Sequence, residues 1–306
     1  MIDKPVRSPL FAIRHAKSPR RSPVSMSMSA KNEASDARAH GPAGAIESMA
    51  GIDAAQIPLP LYLPQHLRFE NFEVTPRSVE IVQALKSFAE GSSPASGHPA
   101  RLFIAGEGGS GKSHLSVAVL RTAGGLGFDA ALIPLRLWMD RPPGMIQGME
   151  RADLICIEDI DAIAGISRWE ESLVFLIEAS MRRKARLLVS ARKQPAHIPF
   201  GLADLRSRLN ASTVYRLPAL DDEGRARALR RHAMDRGIDI SDEIIAYLFA
   251  RYRRDMPSLM ALLERLDRRS LGARRRLTVP FVRQILESLD EPPLGEAMDE
   301  VRIDSS

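Results

Sequence analysis

From residue 101 onward the chain alternates between short, continuous apolar runs and longer stretches in which apolar residues return every three or four positions. The runs are RLFIA (101–105), AALIPL (130–135), DLICI (153–157), RLLVS (186–190) and TVYRL (213–217). A short apolar run without polar alternation suits a strand covered on both faces, the condition of a parallel sheet. Helical spacing separates most of the runs, as in Trp169, Leu173, Leu176 and Ser180. The pattern therefore predicts an α/β domain with helices on both faces of a parallel sheet. Pro218 ends the alternation. From 221 to about 289 only helical patterning remains, in DEGRARALRRHAMDRG, SDEIIAYLFARYRRD, PSLMALLERLDRRS and TVPFVRQILESL, which predicts a small all-helical domain.

Folded sequence begins near Arg68. Thr75-Pro76 reads as a helix N-cap with proline in the first turn. Val79, Val82, Leu85 and Ala89 follow at helical spacing, Gly91 closes the helix, and GSSPASGHP is a surface loop. Residues 1–55 are rich in Ser, Ala, Pro and Arg and lack periodicity, so they read as a disordered tail. They contain no apolar stretch suited to a secretory signal. Met49 opens a plausible native start, which we favour over a transit peptide. The segments that result are a tail at 1–55, an extended peptide at 56–64, the α/β domain at 65–218, the helical domain at 219–290 and a second tail at 291–306.

Composition changes the picture in three places. An apolar fraction of 44% over 306 residues supports a sizeable core, and no apolar run approaches the length of a membrane span. Cys156 is the only cysteine and sits inside an apolar run. It excludes an intramolecular disulfide and a cysteine zinc site, reads as a small buried hydrophobe, and suits a reducing cytoplasm. The net charge of +5 comes mainly from arginine, which fits phosphate or protein partners. The arginine-rich stretches RARALRR, RYRR and LGARRR have acids beside them, and solvated helix faces explain them better than a nucleic-acid stripe.

Between the strand RLFIA and the helix HLSVAVLRTA lies GEGGSGKS, Gly106 to Ser113. This is the phosphate-binding pattern G-x-x-x-x-G-K-[ST] in its required strand-to-helix context. Gly106, Gly108, Gly109, Ser110 and Gly111 would let backbone N–H groups wrap the phosphates of ATP or ADP. Lys112 would reach the outer phosphates and Ser113 would hold Mg²⁺. His114 completes the candidate nucleotide contacts, although its position also suits a helix surface. About 45 residues on, DLICIEDIDAIAG ends a buried strand in acids. Glu158 is placed to hold Mg²⁺ and Asp159 to orient an attacking water. Acid order usually runs Asp first, so slow intrinsic hydrolysis is expected. Asp161 reads as a cap for the next helix.

In order along the chain, QIPLPLYLP, FENF, GEGGSGKSHL, DLICIEDIDAIAG, RLLVSARKQP, DLRSRLN and RLTVPFVRQIL resemble the DnaA branch of the AAA+ ATPases. Within that branch they are most similar to the Hda family, the regulatory inactivators of DnaA. The resemblance spans residues 56 to 289. It implies a five-stranded parallel sheet and a helical lid closing over the nucleotide. It places Arg208 at the arginine finger, which acts on a neighbouring subunit's γ-phosphate, with Arg206 as competitor. The first sensor falls near Ser190, where this chain continues with Ala191-Arg192 rather than the family's Asp or Gly. The lid's sensor arginine aligns with Pro257, and Arg253 and Arg254 lie nearby.

The same resemblance makes Gln56, Leu59 and Leu61, in the proline-stiffened AQIPLPLYLP, a peptide that docks on the DNA polymerase sliding clamp. The function implied is a cytoplasmic regulator that, on the DNA-loaded clamp, promotes hydrolysis of ATP held by DnaA and prevents re-initiation. Its own nucleotide would be mainly structural and its own ATPase weak. Contact with duplex DNA would come through the clamp, no membrane is involved, and a homo-oligomer is compatible with the family. A DnaA-like initiator or helicase loader acting directly on DNA is the alternative. An initiator would need a DNA-reading domain, and only DEPPLGEAMDEVRIDSS follows the lid. A small-molecule kinase would leave the finger, lid and leading peptide unexplained.

Overall fold

The computed structural model describes residues 12–13, 66–91, 100–273 and 277–287. Five parallel strands form the sheet: β2 (Arg101–Ala105), β3 (Ala130–Pro134), β4 (Leu154–Glu158), β5 (Arg186–Ala191) and β6 (Thr213–Arg216). Their order is β3-β4-β5-β2-β6, and a two-residue strand β1 (Ala12–Ile13) pairs antiparallel with the β3 edge. β1 falls within the stretch read from sequence as a structureless tail.

Each central strand supplies both faces, as an uninterrupted apolar run must. From β2, Phe103 and Ala105 enter one core, while Leu102 and Ile104 enter the other. From β4, Ile155 and Ile157 join the first, and Leu154 and Cys156 the second. Cys156 is fully buried, as its surroundings predict, and burial pushes its thiol well above the usual range. β6 is the exception. It is an edge strand whose Thr213, Val214 and Arg216 are exposed, so its apolar run reflects pairing with β2 more than burial.

One face carries α1 (Val79–Ala89) and α2 (Lys112–Gly125); the other carries α4 (Ser167–Arg182) and α5 (Ala203–Asn210), with the short α3 (Leu135–Trp138). Helix α1 begins later than Thr75-Pro76 predicts. The Thr75 carbonyl accepts from the Ser78 and Val79 N–H groups, and Ser78 Oγ accepts from the Thr75 N–H at 2.9 Å. The Thr75 hydroxyl, which the sequence suggested for capping, instead lies 3.2 Å from Ser78 Oγ, and the turn holds Pro76 outside the helix. At the other end Gly91 has φ 81°, the left-handed conformation that terminates a helix. Arg186 donates to the carbonyls of Phe88 and Ala89 there, satisfying two groups the helix leaves open.

The lid comprises α6 (Asp222–Met234), α7 (Asp242–Arg251), α8 (Met256–Ala273) and α9 (Val279–Glu287). Asp221 and Ser241 cap α6 and α7, accepting from Gly224 and Ile244. Leu229, Leu248, Leu259, Leu262, Leu266 and Val282 form a separate core. The segment before α1 ties lid to sheet. Glu73 is buried and pairs with Arg227 at 2.7 Å and Arg231 at 3.3 Å, while Asn71 donates to Asp235 at 2.7 Å. The FENFE stretch (69–73) is thus the seam on which the lid sits. No helix among the described residues is long and apolar enough to cross a membrane.

Candidate functional site

The phosphate loop leaves β2 where Gly106 N–H still donates to Ala191 and ends where Gly111 caps α2. Gly109 and Gly111 have φ of 77° and 97°, conformations that L side chains rarely adopt. Close packing also demands glycine here. A Cβ on Gly106 would lie 2.7 Å from the Leu217 carbonyl, and one on Gly111 would lie 2.7 Å from the Phe72 ring. Lys112 is buried, and its Nζ donates to the carbonyls of Gly106 and Glu107 at 2.7 and 2.9 Å. Burial lowers its pKa, while Asp159, Asp161 and Glu158 oppose that shift through their charges. The strand-end acids and the loop lysine therefore converge, although about 45 residues separate them in sequence.

Glu158 Oε1 is buried without a hydrogen-bond partner. Burial raises its pKa, an effect opposed chiefly by the hydroxyls of Ser116 and Ser113. A buried, unpaired carboxylate oxygen next to the loop hydroxyl is an oxygen set that suits a hard divalent cation. Asp159 has φ 52°, uncommon for a residue other than glycine, and stands in front of the turn Ile160–Ile163. Its carboxylate accepts from Arg136 Nε at 2.9 Å, so the acid read as water-orienting is held in an ion pair. Its N–H lies 3.4 Å from Ser190 Oγ, which places the first-sensor position beside the acid pair. Asp161 does not cap α4: Ile166 holds that position, and Asp161 Oδ1 is buried and unpaired.

His114 is half-buried on the first turn of α2, and its Nε2 lies 2.7 Å from the Arg68 carbonyl. Its ring meets Phe72 edge-on at 5.3 Å and His232 of the lid at 5.5 Å; His66 lies 5.9 Å from His232. Burial and the positive fields of His114, Arg236, His66 and Arg231 hold His232 down to about 3. His66 and His114 are lowered as well, against opposing fields of Asp235 and, at His66, Glu264. The folded seam therefore refuses a proton that the unfolded chain accepts near the ordinary imidazole value of 6.5, so stability is lost as pH falls below that value toward 3. Urea unfolding at pH 5.5 should show about 1 kcal/mol less stability than at pH 8. The difference should shrink in His232→Gln; an unchanged difference would remove His232 as the cause.

Arg208 lies on α5 and is about three-quarters buried. It pairs with Asp204 at 3.0 Å and, across to α4, with Glu178 at 3.7 Å. Arg206 is committed elsewhere, donating to the Phe200 carbonyl at 2.7 Å. Glu170, fully buried on α4, accepts from the N–H groups of Gly165, Gly201 and Leu202 at 2.6, 3.1 and 2.7 Å. It thus anchors the loop that delivers α5. Sequence reading missed Glu170 and Arg136. An acid inside an amphipathic helix reads as its solvent face, and nothing local marks Arg136 as a partner for Asp159.

On the lid side, Pro257, the second residue of α8, lies directly over the loop: its Cδ would lie 2.9 Å from a Cβ on Gly109. Arg253 pairs with Asp255, while Arg254 donates to the Phe249 carbonyl and to Asp222. Gln56, Leu59 and Leu61 lie outside the described residues.

A family model for the lid domain of Hda matches residues 222–286. The helical domain is therefore similar to the lid of Hda, and the fold is similar to that of DnaA. Domain III of DnaA from Thermotoga maritima aligns with a TM-score of 0.63 and 18% identity, covering 75% of this chain and 99% of that one. An AMPPCP-bound DnaA from Aquifex aeolicus aligns at 0.54 and 18%, covering 66% of this chain and 65% of its own. A RuvB variant from Thermotoga maritima aligns at 0.53 and 16%, covering 74% of this chain and 75% of its own. The five-stranded parallel sheet followed by a helical lid agrees with the architecture expected from the resemblance. The Hda-type match begins at α6 and ends in α9, so it covers the four helices that pack around Leu229, Leu262 and Val282.

Proposed function

We propose that this chain regulates chromosome replication initiation by docking on the DNA-loaded sliding clamp and promoting hydrolysis of ATP held by DnaA, which switches the initiator off. The observation that carries this reading is the setting of Arg208 on α5, in a chain whose helical domain matches the lid of Hda. Its ion pairs run to Asp204 and Glu178, and none of the phosphate-loop residues is among its partners in the described structure. Such an arginine serves a phosphate brought by another subunit. The chain's own loop, Gly106 to Ser113, would hold ATP or ADP through backbone N–H groups and Lys112, with Ser113 and Glu158 supplying oxygens to Mg²⁺. That ion would neutralise phosphate charge. Pro257 offers no cation to a γ-phosphate, so the bound nucleotide acts mainly on the arrangement of sheet and lid.

The proposal places the protein in the cytoplasm with DnaA and the clamp as partners. Gln56, Leu59 and Leu61 are the docking peptide, whose extended, proline-stiffened sequence loses little entropy on binding. The test is hydrolysis of labelled ATP preloaded on DnaA, followed with and without this protein and loaded clamp. Stimulation should require both. Replacing Gln56, Leu59 and Leu61 together by alanine should abolish clamp retention in a pull-down and leave the thermal melt unchanged. Retention equal to wild type would overturn the docking peptide, and hydrolysis indifferent to the protein would overturn the regulatory reading.

A further inference from the structure

Beside the phosphate loop lies a cleft of about 1000 Å³. It opens beyond the carboxyl ends of β5, β2 and β6, where Ala191, Ala105 and Arg216 stand in register. This is the place where open α/β sheets bind ligands. Arg77, Arg192, Lys193 and Arg216 line it, with His197 and a single acid, Glu107. All four cations are exposed, and none is in an ion pair among the described residues. In the lid, by contrast, Arg225, Arg227, Arg230, Arg231, Arg253 and Arg254 each meet a carboxylate. Of the phosphate loop, only Gly106 and Glu107 line this cleft; Lys112, Ser113 and the glycines that turn into α2 do not.

We propose that this cleft is a second anion site, separate from the phosphate cradle, that takes a chain of linked phosphates. Four unpaired positive charges around one cavity repel one another unless an anion of matching charge density enters. Linked phosphates carry that density in a short length, and the three arginine forks match phosphate oxygens in pairs. A peptide would have to bring several acids at once, and the lining has no Phe, Tyr or Trp to anchor one. The phosphates belong either to a free polyphosphate or nucleotide, or to the backbone of a nucleic-acid strand.

The experiment is calorimetric titration of the full chain with sodium tripolyphosphate in saturating ADP, repeated on Lys112→Ala. Saturable binding should persist in both. Arg192→Gln and Arg216→Gln should each weaken it roughly tenfold, while Arg251→Gln, a charge-matched change on the lid, should alter it less than twofold. An oligo(dT) strand that displaces tripolyphosphate, with the same dependence on Arg192 and Arg216, identifies a nucleic-acid backbone; an inert strand identifies a free polyphosphate. Absence of saturable binding, loss of binding with ADP or in Lys112→Ala, indifference to both glutamine variants, or equal displacement by polyglutamate would each overturn the site.

Discussion

Arg208→Ala should slow clamp-dependent hydrolysis of DnaA-bound ATP by about a thousandfold or more, while this protein's own nucleotide affinity and clamp binding stay within a factor of about three. The asymmetry follows from what the guanidinium does. It acts on charge that develops on the transferring phosphoryl group, so its loss appears in rate rather than in binding. The side chain starts from a paired state, held by Asp204 and Glu178, and must exchange at least one of these carboxylates for the partner's phosphate. Its helix is held from behind by Glu170 through the N–H groups of Gly201 and Leu202, so truncation at 208 leaves α5 in place. Arg206→Ala serves as the comparison, because that side chain is occupied by the Phe200 carbonyl. If Arg208→Ala stimulates as well as wild type and Arg206→Ala fails, the finger is Arg206. If neither matters, the arginine-finger mechanism is wrong for this protein.

Lys112→Ala should weaken ATP and ADP binding on the order of a hundredfold, from the loss of two charge-assisted hydrogen bonds to phosphate. In the described structure those two bonds are made internally, to the carbonyls of Gly106 and Glu107. The lysine must leave them when phosphates enter, and the phosphates take over its charge. The alanine variant keeps the loop's glycine conformations, so folding should be preserved and a melt should report it. Calorimetry is the measurement, and equal affinity of wild type and variant for both nucleotides would refute nucleotide binding at this loop.

The sheet was legible in the sequence because its central strands are buried on both faces and therefore read as unbroken apolar runs. The same reasoning overstated β6, where TVYRL is an edge strand with three exposed residues. The start of α1 was misplaced because Thr75 and Ser78 close a turn on each other, an arrangement no spacing rule distinguishes from a cap. The phosphate loop and the acids after β4 were visible as motifs. Their meeting with Arg136, and the three-histidine seam at His66, His114 and His232, were not: these contacts join segments far apart in the chain, and each residue alone looks like a surface position. Pro257 was placed by the family resemblance, and what the structure adds is its neighbour, Gly109.

That contact has a mechanical sense. A proline ring resting on a glycine exerts volume and no charge, so movement of the loop reaches the lid as displacement. Salt that loosens the ionic seam between Glu73 and the lid arginines leaves this coupling intact. Under the proposed function, a lid driven in this way would respond to whether the loop is filled rather than to a third phosphate. Readiness would then be set by occupancy, and timing by the nucleotide that DnaA carries.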